Sequence, residues 1–403
     1  MAAKIEFIPG GTVTSPRGFQ AGATYAGIKK KADNSLDLGI LVSKIPCVAA
    51  ALFTTNSFVA PPVVLSRKRL KNGNSRALIV NSGCANAGTG ETGQADAARM
   101  AELAADRLGI SPQEVLIAST GVIGRRLPME LIKAALAEIT PSADGGHALA
   151  RAMMTTDTVP KEVAVRVTGG EFTIAGVAKG AGMVHPQLAT MLCFLTTDAK
   201  VDTAFLARAL KKAVAISLNM VSIDGDTSPN DMVLIMANGL AANKAIGHNT
   251  ELAEAFQQAL DRVCAHLAKA IARDGEGATK LIEVSVKGAV TTTQARLAAR
   301  TVVGSPLVKA AVHGSDPNWG RVLAAAGGSG AQLVESKVDL YFGDTCLVAS
   351  GRALPFDMER AATALSGCEV SITLNLNLGR ARATAWGCDL TQEYVTINSE
   401  YTT

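Results

Sequence analysis

Aromatic side chains are scarce in this sequence, with 10 Phe, 4 Tyr and 2 Trp among 403 residues. A large interior without aromatic bulk must be filled by Ala, Val, Leu and Ile, and 38 Gly residues let backbones approach closely. Other absences exclude whole classes. Cys47, Cys84, Cys193, Cys264, Cys346, Cys368 and Cys388 form no C-x-x-C pair and are odd in number, which argues against a disulfide framework. His147, His185, His248, His266 and His313 lack metal-ligand spacing, so no metal site is expected. An excess of one charge is missing too. Thirty-nine basic and 35 acidic residues leave a net charge of +4, too balanced for a nucleic-acid surface. The basic runs Lys29-Lys30-Lys31 and Arg67-Lys68-Arg69 read as solvated surface. No uncharged apolar run of about 18 residues occurs, so no membrane span is expected. Residues 1–10 carry neither an apolar leader core nor an Arg-rich amphipathic pattern, and a cytoplasmic protein is expected.

What is present is a well-packed composition, 48% hydrophobic and 18% charged. A single core stops growing near roughly 250–300 residues, so more than one subdomain is expected. Strand-like and helix-like stretches alternate. Residues 77–80 read as a strand ending in the Asn81-Ser82-Gly83 turn, and residues 94–108 read as a helix stopped by Gly109. Ser111-Pro112-Gln113-Glu114 is a capping box, and residues 115–118 form a strand entering Ser119-Thr120-Gly121. Residues 128–139 are helical. Residues 162–167 and 172–177 make a hairpin across Gly169-Gly170. Small residues at Gly180-Ala181-Gly182 predict a tight backbone, and residues 191–195 a buried strand. Long helices follow at 203–218 and 251–273, the second with Asn249 or Thr250 as its cap. From about residue 281, strands at 281–286, 338–342 and 370–374 with a helix at 358–365 suggest a smaller α+β subdomain. The fold class expected is mixed α/β, or α+β.

Thr190 stands before the buried strand and after the glycine-rich stretch. A Thr hydroxyl is a weak nucleophile until a base takes its proton. A Thr at a chain terminus carries that base itself, because its α-amine has a pKa of about 7.7–8.0. Such chemistry requires a cut before Thr190. Other signals are weaker. Gly88-Thr89-Gly90-Glu91-Thr92-Gly93 spells G-x-G-x-x-G, but the preceding strand ends near Val80, and a dinucleotide site needs the glycines directly after the strand. His313-Gly314-Ser315-Asp316 reads as a structural turn before Trp319. Asp224, Asp226 and Asp231 lack the spacing of a calcium loop and read as support for the active site.

The run Lys179-Gly-Ala-Gly-Met-Val-His-Pro-Gln-Leu-Ala-Thr-Met-Leu closely resembles the signature of the ornithine acetyltransferase family, the bifunctional glutamate N-acetyltransferases of arginine biosynthesis. Gln187-Leu188 stand where that family usually has Asn-Met, and Cys84 where it has Asn. The runs at 119–124, 155–158, 224–228, 274–280, 316–321 and 398–403 resemble it as well, in order along the chain. The resemblance implies a self-cleaving enzyme with an N-terminal Thr nucleophile and helices layered around β-sheets. Cleavage between Ala189 and Thr190 would leave an alpha fragment, 1–189, and a beta fragment, 190–403. It implies an acetyl-Thr190 intermediate in ping-pong transfer from N2-acetylornithine to glutamate, with Thr120 and Gly121 as the oxyanion hole. Thr156, Lys179, Thr190, Glu276, Asn398 and Thr403 would bind substrate. It further implies no cofactor and a heterotetramer of two alpha and two beta chains, and it leaves open whether acetyl-CoA is also a donor. The rival enzyme is a self-cleaving aminopeptidase or amidase with water as acceptor.

Overall fold

Residues 3–29, 36–185, 191–355 and 357–400 are described by a computed structural model. Two strands at its centre are buried at every position, Leu192–Thr197 and Met232–Ala237. Continuous apolar runs are what strands covered on both faces require. They pair in parallel, from Leu192 opposite Met232 to Thr197 opposite Ala237. Around them lies a nine-stranded sheet. Its order is Lys4–Phe7, Lys161–Thr168, Phe172–Lys179, Leu192–Thr197, Met232–Ala237, Leu38–Phe53, Asn74–Asn81 and Val115–Ser119, with Phe19–Thr24 also paired along Leu38–Phe53. The hairpin read at 162–177 is there, antiparallel from Lys161 opposite Ala178 to Val167 opposite Phe172.

Successive side chains on a strand point to opposite faces, and both faces are covered. Cys193, Leu195, Val233 and Ile235 join the core under helix Ala253–Arg273. Leu192, Phe194, Leu234 and Met236 join a second core with Leu149 and Met153 of helix Gly146–Met153. The long helix buries Phe256, Leu260, Val263, Leu267 and Ile271, a stripe at three- and four-residue spacing. At the far edge, Ile79 and Ile117 pack against Ala97, Met100 and Ala104 of helix Gly90–Leu108.

A seven-stranded sheet has the order Arg352–Ala353, Thr345–Ala349, Asp339–Phe342, Glu369–Asn375, Leu281–Ala289, Ala381–Cys388 and Val221–Ser222. Six of these strands come from residue 281 onward. Val221–Ser222 comes from the earlier part and pairs with Trp386 and Gly387. One apolar cluster runs from Val263 and Ile271 of the long helix into Ile282, Val284 and Val286 of this sheet. Helices layered on mixed sheets are the class the sequence implied.

Local departures from the sequence reading have local causes. Helix Gly90–Leu108 starts four residues earlier than expected and takes Gly90 and Gly93 of the G-x-G-x-x-G run into its first turn. Gly109 ends it at φ = 66°. The Ser111 capping box opens only the short 3-10 turn Pro112–Glu114. Neither Asn249 nor Thr250 caps helix Ala253–Arg273. Leu252 holds that position, and the Thr250 hydroxyl donates instead to Gly247 O at 3.0 Å. Lys29 is not a solvated lysine. Its Nζ donates to Leu36 O and Met154 O, and burial lowers its pKa to about 8 against the pull of Asp37.

Candidate active site

Val115–Ser119 runs parallel to Asn74–Asn81, so the turns that end both strands meet at one edge. Thr120 and Gly121 lie there, against Gly83 and Cys84. Gly121 has φ = 122°, and a Cβ on it would come within 2.4 Å of the Gly83 carbonyl carbon. Only glycine permits this backbone-on-backbone contact. Asn230, just before strand Met232–Ala237, ties the region together by donating from Nδ2 to Ala85 O at 2.7 Å and Ser119 O at 2.9 Å.

Strand Phe172–Lys179 delivers Lys179 to the same place. Its side chain is buried, and Nζ donates to Thr120 Oγ1 at 3.2 Å. Burial pushes the ammonium below its usual range, while the charge of Asp157 opposes the shift. Thr120 then accepts from Lys179 and keeps its own hydroxyl proton for another acceptor. The tight backbone expected after Lys179 is present: Gly180 has φ = 152° and Met183 has φ = 54°.

A buried ionic cluster holds this turn. Lys161 Nζ donates to Asp157 Oδ1 at 2.6 Å and to Asp274 Oδ2 at 2.5 Å. Asp157 also accepts the N–H groups of Gly180 at 2.7 Å and Thr155 at 3.0 Å. Asp274 accepts the N–H and hydroxyl of Thr158. Burial alone would raise the Asp157 carboxyl, but Lys179, Lys161 and the Gly180 N–H outweigh it and hold the group at about 2.

Glu276 closes the opposite side. Its N–H donates to Ala181 O, and its Oε2 accepts from Asn398 Nδ2 at 2.8 Å. Gly182 makes room for it, since a Cβ there would fall 2.3 Å from Glu276 Oε2. Asp224 accepts from the N–H groups of Met183 at 2.5 Å and Val184 at 2.8 Å. Asp231 accepts from Met191 N at 2.9 Å. These two carboxylates are therefore loop anchors, as the sequence reading expected.

Together these elements enclose a cavity of ≈ 220 Å³ lined by Thr120, Gly121, Thr156, Lys179, Glu276 and Asn398. Six residues spread from position 120 to position 398 thus meet at one place. Ala189, Thr190 and Thr403 lie outside the described residues. Sequence reasoning missed lining residues, Tyr394 and Asn230 among them, neither of which stands in a distinctive run. It quoted Asp157, Lys161 and Asp274 only inside motifs. Their signal was charge within runs of small residues. The His313 turn builds no catalytic triad. His313 pairs with Asp389 at 2.9 Å, and Ser315 Oγ accepts from Lys280 at 2.8 Å. Among the described residues, no group of three or more His, Cys, Asp or Glu is placed to hold a metal.

The sequence profile described as the ArgJ family matches residues 20–403. The chain belongs to the ArgJ family. Membership makes it an acetyltransferase of arginine biosynthesis. The arginine biosynthesis bifunctional protein ArgJ of Dehalococcoides mccartyi is 55% identical to it, covering 100% of both chains. The protein of the same designation from Symbiobacterium thermophilum is 53% identical over 99% of this chain and 100% of its own. The crystal structure of arginine biosynthesis bifunctional protein argJ from Bacillus halodurans is similar as well. It is 43% identical with a TM-score of 0.50, and the match covers 51% of this chain and 97% of that one.

Proposed function

We propose that this chain cuts itself between Ala189 and Thr190 and then moves an acetyl group from N2-acetylornithine to glutamate through an acetyl-Thr190 intermediate. The observation that carries the reading is the pairing of Lys179 with Glu276 and Asn398 across one small cavity. An α-amino acid offers a carboxylate and an ammonium. A cation on one wall and a carboxylate on the other receive both.

The Thr190 α-amine takes the Oγ proton, and Oγ attacks the acetyl carbonyl carbon. Charge develops on the carbonyl oxygen within reach of the Thr120 hydroxyl and the Gly121 N–H. The proton passes to the departing amine, which leaves as ornithine. The glutamate amine then attacks the acetyl ester and releases Thr190. Thr156 and Thr403 complete the substrate contacts, and acetyl-CoA serves as a second donor. The bifunctional designation of the relatives supports that last reading. One fact supports the cut, and a second shows how the fragments would stay together. The solved Bacillus halodurans chain matches only about half of this one. The nine-stranded sheet also pairs strands from both sides of residue 190, Phe172–Lys179 with Leu192–Thr197 and Leu38–Phe53 with Met232–Ala237, which keeps the fragments joined. They assemble as two alpha and two beta chains.

The test is transfer of a labelled acetyl group from N2-acetylornithine. Labelled N-acetylglutamate should form only with glutamate present. Free acetate released at the same rate without glutamate would make the enzyme an amidase.

Two variants probe the pocket. Thr120→Val keeps the shape and removes the hydroxyl. Loss of one oxyanion donor is expected to lower kcat about 10²–10³-fold, and an unchanged kcat would remove Thr120 from that role. Gly182→Ala forces the Glu276 carboxylate away from its place beside Asn398. A charge-assisted contact is lost, so KM for glutamate should rise about tenfold or more with little change in thermal midpoint. An unaltered KM would show that Glu276 does not meet the substrate.

A further inference from the structure

Segment 183–185 borders the acyl pocket at one end and a second cavity at the other. Met183 lines the pocket, whereas His185, two residues on, lines a space of ≈ 420 Å³. Arg300 and Thr301 of helix Thr292–Gly304 form another wall of that space. Ser305, which caps helix Pro306–His313, also borders it and brings in the positive end of that helix. One turn from Arg300, Arg296 borders a third cavity of ≈ 270 Å³ with Arg382, Thr384 and Trp386. Neither lining contains Asp or Glu.

Arg300 is half-buried, and its charge is disfavoured by burial and by the like charge of Arg296. No carboxylate offsets either effect. Among the described residues, none of Arg296, Arg300 and Arg382 forms an ion pair. Guanidinium groups without a counter-charge, with hydroxyls and a helix N-terminus alongside, suit phosphate oxygens, which arginine can hold in a bidentate manner. The imidazole of His185 is pushed down by burial and by Arg300, so near neutral pH it offers a hydrogen bond without adding charge.

We propose that the cavities bordered by Arg300 and Arg296 hold the phosphates of a coenzyme A thioester, whose acyl end extends past residues 183–185 towards the pocket lined by Thr120 and Gly121. This rests on the second-donor reading above. The two linings share no residue, so phosphate bound beside Arg300 leaves the acyl pocket free for the amino acid.

The test is calorimetric titration of the intact protein with coenzyme A, alongside kinetics with each donor. Arg300→Ala should weaken coenzyme A binding about tenfold or more and raise KM for acetyl-CoA in step. Arg300→Lys should fall between. Transfer from N2-acetylornithine to glutamate should be unchanged in both, and pantetheine, which lacks the phosphates, should not distinguish the variants. Equal coenzyme A affinity in wild type and Arg300→Ala would overturn the proposal. So would equal losses with both donors, which mark a structural role. Absence of coenzyme A binding by a wild type that still transfers from N2-acetylornithine overturns it while leaving the acetyl-transfer reading standing. Absence of transfer from N2-acetylornithine removes that reading instead, and the titration then decides the phosphate site by itself.

Discussion

A Thr190→Ala chain is expected to migrate as one uncut species and to transfer no acetyl groups. The reason is chemical before it is structural. Inside a chain, the nitrogen of Thr190 belongs to an amide and its lone pair is delocalised, so it cannot act as a base. After the cut it is an amine with a pKa of about 7.7–8.0, partly neutral near pH 7 and adjacent to its own Oγ. Alanine removes the Oγ required for both the cut and the acetyl ester. The described residues on either side of Thr190 are anchored by carboxylates. Asp224 holds the N–H groups of Met183 and Val184 before it, and Asp231 holds that of Met191 after it. Denaturing electrophoresis and an acetyl-transfer assay check the expectation together. Wild type should give fragments of 189 residues and the remaining 214 of the 403. Two fragments from Thr190→Ala would sink the assignment, as would appreciable turnover.

Lys161→Met is expected to destabilise the fold by about 3–5 kcal/mol, the usual cost of stripping one partner from a buried ionic cluster. Lys161 has no exposed side-chain surface, and the two carboxylates it bridges are 0% and 7% exposed. Methionine fills similar volume but leaves Asp157 and Asp274 facing each other without their shared cation. Because Asp157 also holds Gly180, the damage should extend to the turn that follows Lys179, and activity should fall with stability. The unfolding midpoint in urea measures the first effect. An unchanged midpoint would show that the cluster adds nothing to stability. The same carboxylate sets an acid limit. Its folded pKa of about 2 lies below the ordinary value of 3.8. The stability it contributes is therefore present above about pH 4 and lost as pH falls towards 2.

Much of the fold was legible because the relevant signals are local. The hairpin at 161–179, the helix ended by Gly109 and the strand before Thr120 all follow from short-range periodicity and turn chemistry. The misread features depended on distant partners. Lys29 reads as a surface lysine within its basic run, but folding lays it against Met154 O, 125 residues away. Thr250 has the chemistry of a cap, yet its hydroxyl is taken by Gly247. The weight of Asp157 was not legible either, since Asp274 is far along the chain and only the folded sheet and the long helix bring it to Lys161.

By itself the sequence determined the family and supplied the types of side chain that could meet an amino acid, because motif identity and side-chain chemistry are carried residue by residue. Tertiary structure alone decided that Thr120, Lys179, Glu276 and Asn398 share one cavity, that the Glu276 carboxylate occupies the space a side chain on Gly182 would take, and that Arg300 faces a space without a counter-charge. Those facts depend on which strands and helices become neighbours, and on how much water is excluded between them.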